Sequence, residues 1–248
     1  MSGFSPEILL FIVGAYLVGS LVKGVTGFGA MLIAIPLMSM VIHPATAIAL
    51  TSGPVLFSNG WQLYDSGEAR SALRQFWPML ITIVPASIIG SRFTVAVDPG
   101  STAGIIGTIV ILFCLSRLFP IKLNLSLADH KFSGPVIGVL AGLINGATLL
   151  AGSVLIAYLV SLNLHKNNFV ASIALIYLVA TLPVYINLTY FGLYSGDGMI
   201  VSISLIFVAI VGLRMGRMIR DRVSQERFQK IVTDLLMCVG MGLLSRAF

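Results

Sequence analysis

Lys23-Gly-Val-Thr-Gly-Phe-Gly-Ala-Met-Leu-Ile-Ala-Ile-Pro-Leu37 is a glycine-rich break inside an apolar run, with a lysine at its entrance. Fifteen uncharged residues separate Lys23 from Glu7, and no charge follows it until Asp65. A charge this far from polar sequence costs about 2.5–3.5 kcal/mol at a membrane-helix centre, so it marks a function or reaches an interface. Gly24, Gly27 and Gly29 free the backbone from steric limits and weaken any helix through them. The stretch reads as a turn at membrane depth whose exposed N–H groups, with Lys23, hold an anion. The plainer alternative is a glycine-lined helix crossing with a snorkelling lysine. The first reading is favoured because irregular backbone in lipid is tolerated only where it lines a cavity or is buried in protein.

The rest of the chain supplies the membrane. Of its 248 residues, 57% are hydrophobic and 10% charged, with a mean hydropathy of +1.01. A soluble domain carries roughly 25% charged residues, so this chain cannot cover a water-facing surface. The fold class is all-α, a polytopic membrane protein in the lipid bilayer. The formal charge of +6 does not imply nucleic acid, because the basic residues cluster in loops between apolar runs, where they set topology. Cys114 and Cys238 lie in apolar segments and read as packing residues, without metal-ligand spacing or a disulfide framework. No basic region precedes the first apolar run, so a cleaved signal peptide is not expected.

Apolar runs occupy about residues 6–42, 44–63, 75–91, 101–119, 134–162, 169–191, 198–213 and 231–246. Six fit one span each, at about 20 residues per span. The first and fifth, of 37 and 29 residues, are too long and are interrupted by glycine-rich sequence. If the fifth enters and leaves on one side, twelve basic residues face the cytoplasm and two, Arg92 and Arg246, face out. If it crosses once, the best split is eight against six. The positive-inside rule favours a hairpin, and by analogy the first run is a hairpin too.

An internal repeat supports the analogy. A shift of 122 positions pairs Gly24 with Gly146, Thr26 with Thr148, Leu37 with Leu159, Ser39 with Ser161, His43 with His165 and Ala49 with Ala171. Ala86-x-x-x-Gly90 is echoed by Gly212-x-x-x-Gly216, and Ser116-Arg-Leu-Phe119 by Ser245-Arg-Ala-Phe248. The expected organisation is two inverted repeats, 1–121 and 134–248, each a broken-helix hairpin plus three transmembrane helices, joined by a cytoplasmic linker at 122–133. Inverted repeats with broken helices meeting near the midplane are a transporter architecture.

These residues carry a resemblance. Gly24-x-Thr-Gly-Phe-Gly29 followed by an apolar run and Pro36 resembles the first-repeat signature of the TauE/SafE family of membrane permeases. The two half-chains of four apolar runs, the Gly-Ser-Arg after the third run and the basic loop before the last helix are similar too. The resemblance implies transport of sulfite or sulfur-containing organic anions across the cytoplasmic (inner) membrane, often as export. The second repeat departs from the family's glycine cluster and has Asn145-Gly-Ala-Thr-Leu-Leu-Ala-Gly-Ser153.

Physical chemistry points to the same small anionic substrate. After each turn a new helix begins, and its first N–H groups lack intrahelical partners and attract anions. The donors are expected from Gly27, Phe28, Gly29 and Ala30, and from Gly146, Ala147, Thr148 and Leu149, with Thr26, Thr148 and Asn145 adding side chains. Thr26, Thr148 and Asn145 also suit the humbler task of satisfying broken backbone. Thr51, Ser52, Ser58 and Asn59, then Ser172, Tyr177, Thr181, Tyr185 and Asn187, either line the route or bond between helices. The substrate-binding set selected is Lys23, Thr26, Gly27, Phe28, Gly29, Ser52, Asn59, Asn145, Gly146, Thr148 and Tyr177. Pro54, Pro85 and Pro183 are expected to kink spans.

Asp234 is the one carboxylate inside a late span, so a carboxylate proton relay is not expected. There is no Gly-x-Ser-x-Gly and no phosphate-binding Gly-x-x-x-x-Gly-Lys-Ser/Thr, which argues against an enzyme and against an ATP-driven pump. Neither a cofactor nor a metal is implied. The sequence expectation is a secondary carrier using alternating access, ahead of an anion channel or a membrane assembly protein. The Gly-x-x-x-Gly-type pairs would serve a homodimer as readily as a folded monomer.

Overall fold

The computed structural model describes residues 4–26, 29–118, 130–193, 196–220 and 225–245. Among these there are eleven helices and no strand. They are α1 (Pro6–Thr26), α2 (Ala30–Ser39), α3 (Pro44–Leu50), α4 (Ser52–Ser66), α5 (Ala69–Ala96), α6 (Pro99–Leu118), α7 (His130–Thr148), α8 (Gly152–Ser161), α9 (Lys166–Tyr190), α10 (Gly196–Arg220) and α11 (Gln225–Leu244). Helices α1, α5, α9 and the Gly196–Ile219 part of α10 are long and apolar enough to cross a bilayer. Large apolar side chains such as Trp77, Ile81, Phe93 and Phe207 lie exposed on these helices, as expected where lipid is the solvent. Residues 122–129 of the expected linker lie outside the described residues.

Both overlong runs are broken. Helix α1 stops at Thr26 and α2 restarts at Ala30. A Cβ added to Gly19 would lie 2.5 Å from the Ala30 carbonyl oxygen, so α2 starts beside α1 seven residues back from its end. The chain has therefore reversed. Helix α7 stops at Thr148 and α8 begins at Gly152. Tyr158 of α8 places its hydroxyl 3.3 Å from Ser133 Oγ near the start of α7, so α8 also runs back along its partner. Helices α2 and α8 have ten residues each. At about 1.5 Å per residue each reaches roughly 15 Å, half of the ~30 Å hydrocarbon layer.

One expectation is corrected. The 44–63 run is not a single span kinked at Pro54; it is two helices separated at Thr51. Pro54 has no N–H to give to Leu50, and its ring opposes that carbonyl. Helix α3 accordingly ends at Leu50, and Thr51 tightens the last turn by donating its N–H to the Ile48 carbonyl at 3.2 Å. The freed Gly53 N–H donates to Ser202 Oγ on α10 at 2.8 Å.

Two compact units result, and each draws on both halves of the sequence. The first takes the described residues of Met1–Pro54, Val97–Phe119 and Gly192–Phe248; the second takes those of Val55–Ala96 and Pro120–Phe191. In the first, α1 packs on α10 and α6 on α11. Its core includes Ile12, Tyr16, Ala34, Met38, Leu50 and Leu205. In the second, α5 packs on α7 and α9, around Phe76, Met79, Ile83, Leu155, Tyr158 and Ile176.

Candidate functional site

The first break lies in the first unit. Gly29 caps α2 in the left-handed region, with φ 90° and ψ 9°, a conformation that glycine takes without strain. No side chain caps the helix, so the opening amides of α2 face the break without an intrahelical acceptor. Lys23 sits in the last turn of α1, half-buried, where the negative end of the helix dipole favours a cation. Thr26 donates its hydroxyl to the Val22 carbonyl at 2.9 Å. Lys23, Thr26 and Gly29 therefore belong to one break, while Gly27 and Phe28 lie outside the described residues.

The second break lies in the second unit. Leu149, fully buried, turns the chain with φ 56°, an uncommon value for a leucine that costs of order 1–3 kcal/mol. The carbonyls at the end of α7 are occupied. Asn145 O accepts the Leu149 N–H at 2.8 Å. The Thr94 hydroxyl of α5 donates toward Gly146 O and Ala147 O at 3.2 and 2.9 Å. Thr148 donates to Ile144 O at 2.8 Å and accepts the Leu150 N–H at 3.2 Å.

Helix α8 then opens at Ala151 with no side-chain cap, and its first ladder bond runs from Leu155 N–H to Ala151 O. This corrects the expected donors. Gly146, Ala147 and Thr148 belong to the last turn of α7, and the amides that precede the α8 ladder are those of Gly152, Ser153 and Val154. The cause is the left-handed Leu149, which delays the helix start. Tyr177 of α9 lies at this break, its hydroxyl oxygen in close contact with the place where a Gly152 Cβ would stand. Asn145 is fully buried, and neither its Nδ2 nor its Oδ1 has a hydrogen-bond partner.

The two remaining residues sit elsewhere. Ser52 Oγ is 3.1 Å from Ser202 Oγ, part of the clasp between the start of α4 and α10. Asn59 is buried within α4. Sequence reasoning missed Gly152 and Ser202, and it took Leu149 for an anion donor, whereas its N–H closes on Asn145 O and its left-handed backbone makes the turn. Nothing local marks Ser202, whose partner Gly53 is 149 positions away; Gly152 was visible in the quoted stretch but lay past the expected turn.

His43 Nδ1 accepts the Ala45 N–H at 3.1 Å and so caps α3, and His165 is the N-cap of α9 without a side-chain bond. Cys114 is buried and Cys238 is exposed, so the packing role expected of both fits only the first. The family described as Sulfite exporter TauE/SafE matches residues 11–243, a range that takes in both breaks. No curated protein and no solved structure matches the chain.

Proposed function

Because the chain belongs to the TauE/SafE sulfite exporter family, and is thus a multi-pass membrane transporter rather than an enzyme, we propose that it carries sulfite or organosulfonates across the cytoplasmic membrane by alternating access. The observation that carries this reading is the pair of ten-residue half-helices, α2 and α8, each opening at an uncapped break. Such amides attract an anion without a permanent base beside them. Lys23 adds one formal charge at the first break, and Asn145 and Tyr177 add neutral groups at the second.

The same reading takes residues 1–121 and 134–248 as repeats of opposite orientation. Three correspondences at the 122-residue shift support it. Thr26 bonded to Val22 matches Thr148 bonded to Ile144. His43 and His165 both occupy the N-cap position of the helix that follows a hairpin, although only His43 makes the capping bond. Gly24 packs on Gly216 as Gly146 packs on Gly90, with an added Cβ reaching 2.9 and 2.8 Å from the facing Cα.

The test is a thermal-shift screen of the purified protein with sulfite, thiosulfate, sulfonates and carboxylates. A ligand that binds only the folded state stabilises it by about 2.7 kcal/mol at 100 times its Kd. Sulfur oxyanions are expected to raise the melting temperature, and Lys23→Met is expected to remove most of that rise while the protein stays in the membrane. A normal response in Lys23→Met takes Lys23 out of the site; no response to any anion overturns the reading.

A further inference from the structure

Asn145 asks for more than an anion. Its carboxamide has two donor hydrogens on Nδ2 and an acceptor Oδ1, and both atoms are buried without a partner. Buried polar groups in folded proteins are nearly always hydrogen-bonded, so a pair of orphaned atoms on one side chain calls for an occupant. The side chain sits on the face of α7 that carries Ala141, four residues earlier, and Thr148, three residues later. Ala141 packs in the core that contains Ala151, the N-cap of α8, and the Thr148 hydroxyl bonds to Leu150 within the break. That face therefore looks toward the core shared with α8, the helix whose first amides, those of Gly152, Ser153 and Val154, have no side-chain cap.

An oxyanion that carries only acceptor oxygens fits the amides and Nδ2 but sets a negative oxygen against Oδ1. One with a hydroxyl next to an anionic oxygen satisfies both ends of the carboxamide. We propose that the second break selects the singly protonated form of an oxyanion, hydrogensulfite among the sulfur oxyanions, and that Asn145 is the residue that recognises its hydroxyl. The proposal rests on the anion-carrier reading and sharpens it to a protonation state.

It also gives the missing proton relay a physical reason. Helices α5, α7, α8 and α9 contain no carboxylate. The titratable groups on the helices packed against α7 are Tyr158, Tyr177, Tyr185, Tyr190, Lys166 and the exposed arginines of α5. A substrate that brings its own proton needs no acid on the protein.

The experiment compares sulfite with methanesulfinate at one mildly acidic pH, where sulfite is mainly the monoanion. The two probes then share charge and approximate size and differ in a hydroxyl against a methyl. Binding is measured by titration calorimetry on the purified full chain. Wild type is expected to prefer sulfite by about tenfold or more, the scale of an unmet buried hydrogen bond. Asn145→Leu is expected to bind the two within about twofold of each other, since the carboxamide that reads the hydroxyl is gone.

Equal binding by wild type, or a preference that survives in Asn145→Leu, overturns the proposal. The wild-type comparison decides the matter even if Asn145→Leu does not fold. Equal binding of both probes leaves the anion-carrier reading standing; binding of neither removes both.

Discussion

Thr26 and Thr148 each hand their hydroxyl to the carbonyl four residues back, at 2.9 and 2.8 Å. This is the humbler of the two roles that their residue type allowed, and it holds a helix end together beside each break. Immediately before the crossing glycines Gly24 and Gly146 the two halves part company, with Lys23 in one and Asn145 in the other. At the same scale Ser202 does work that nothing in its own neighbourhood of sequence announces. It accepts the Gly53 N–H that Pro54 has excluded from a continuous helix, and it lies beside the Ser52 hydroxyl. Ser202→Ala strands that amide in a buried site and is expected to cost about 1–3 kcal/mol. The check is the thermal midpoint in detergent, and an unchanged midpoint would show that the clasp contributes nothing. The lysine and threonines were legible as polar residues in apolar runs. The clasp was not, because a hydroxyl that meets its partner across 149 positions has no local periodicity.

At the scale of helices, the breaks and the glycine crossings act together. An added Cβ at Gly146 would stand 2.7 Å from the Ser91 nitrogen and 2.8 Å from the Gly90 Cα, and one at Gly90 would stand 3.0 Å from the Gly146 Cα. Backbone meets backbone there, so no side chain can move aside. Gly90→Leu is expected to force α5 and α7 apart and lose about 1–3 kcal/mol or more. Gly60→Leu on α4, where an added Cβ meets nothing within 4 Å, is the control and should melt like wild type. Equal loss from both would deny the crossing its role.

The start of α6 has its own signature. Asp98 accepts the Ser101 N–H at 2.9 Å and the Ser101 hydroxyl at 2.8 Å. The backbone bond first, then the hydroxyl, hold its carboxyl below the ordinary aspartate range. A carboxyl with a depressed folded pKa adds stability above its unfolded pKa, and this is lost as pH falls through the folded value. The melting temperature is therefore expected to drop on acidification below the usual aspartate range, with a shallower drop in Asp98→Asn. Superimposable pH profiles would take Asp98 out of the acid response. The two hairpin breaks were legible from glycine and run length. The break at Thr51 was not, because Pro54 alone predicts a kink as readily as a stop. The start of α8 was misplaced because a left-handed leucine is not a residue preference that sequence advertises.

At the scale of the whole chain, charge carries the topology argument. Tags placed between Lys122 and Lys131 and near Lys166 are both expected to report the cytoplasm, since twelve of the fourteen loop cations then face inward. Tags on opposite sides would mean that the 134–162 run crosses once, and the reading of the two halves as inverted repeats would fall.

Run length, charge placement and glycine spacing by themselves determined that this is an all-helical, multi-pass chain with two broken runs. Those properties follow from the cost of placing charge or unbonded backbone in hydrocarbon, a cost each segment bears wherever its neighbours lie. Only the tertiary structure decided which helices face one another. The hairpin of the first half lies on α10 and the hairpin of the second on α5, so each compact unit is assembled from both halves. Close approach of two backbones depends on small residues meeting from distant parts of the chain, and a lone glycine does not name its partner.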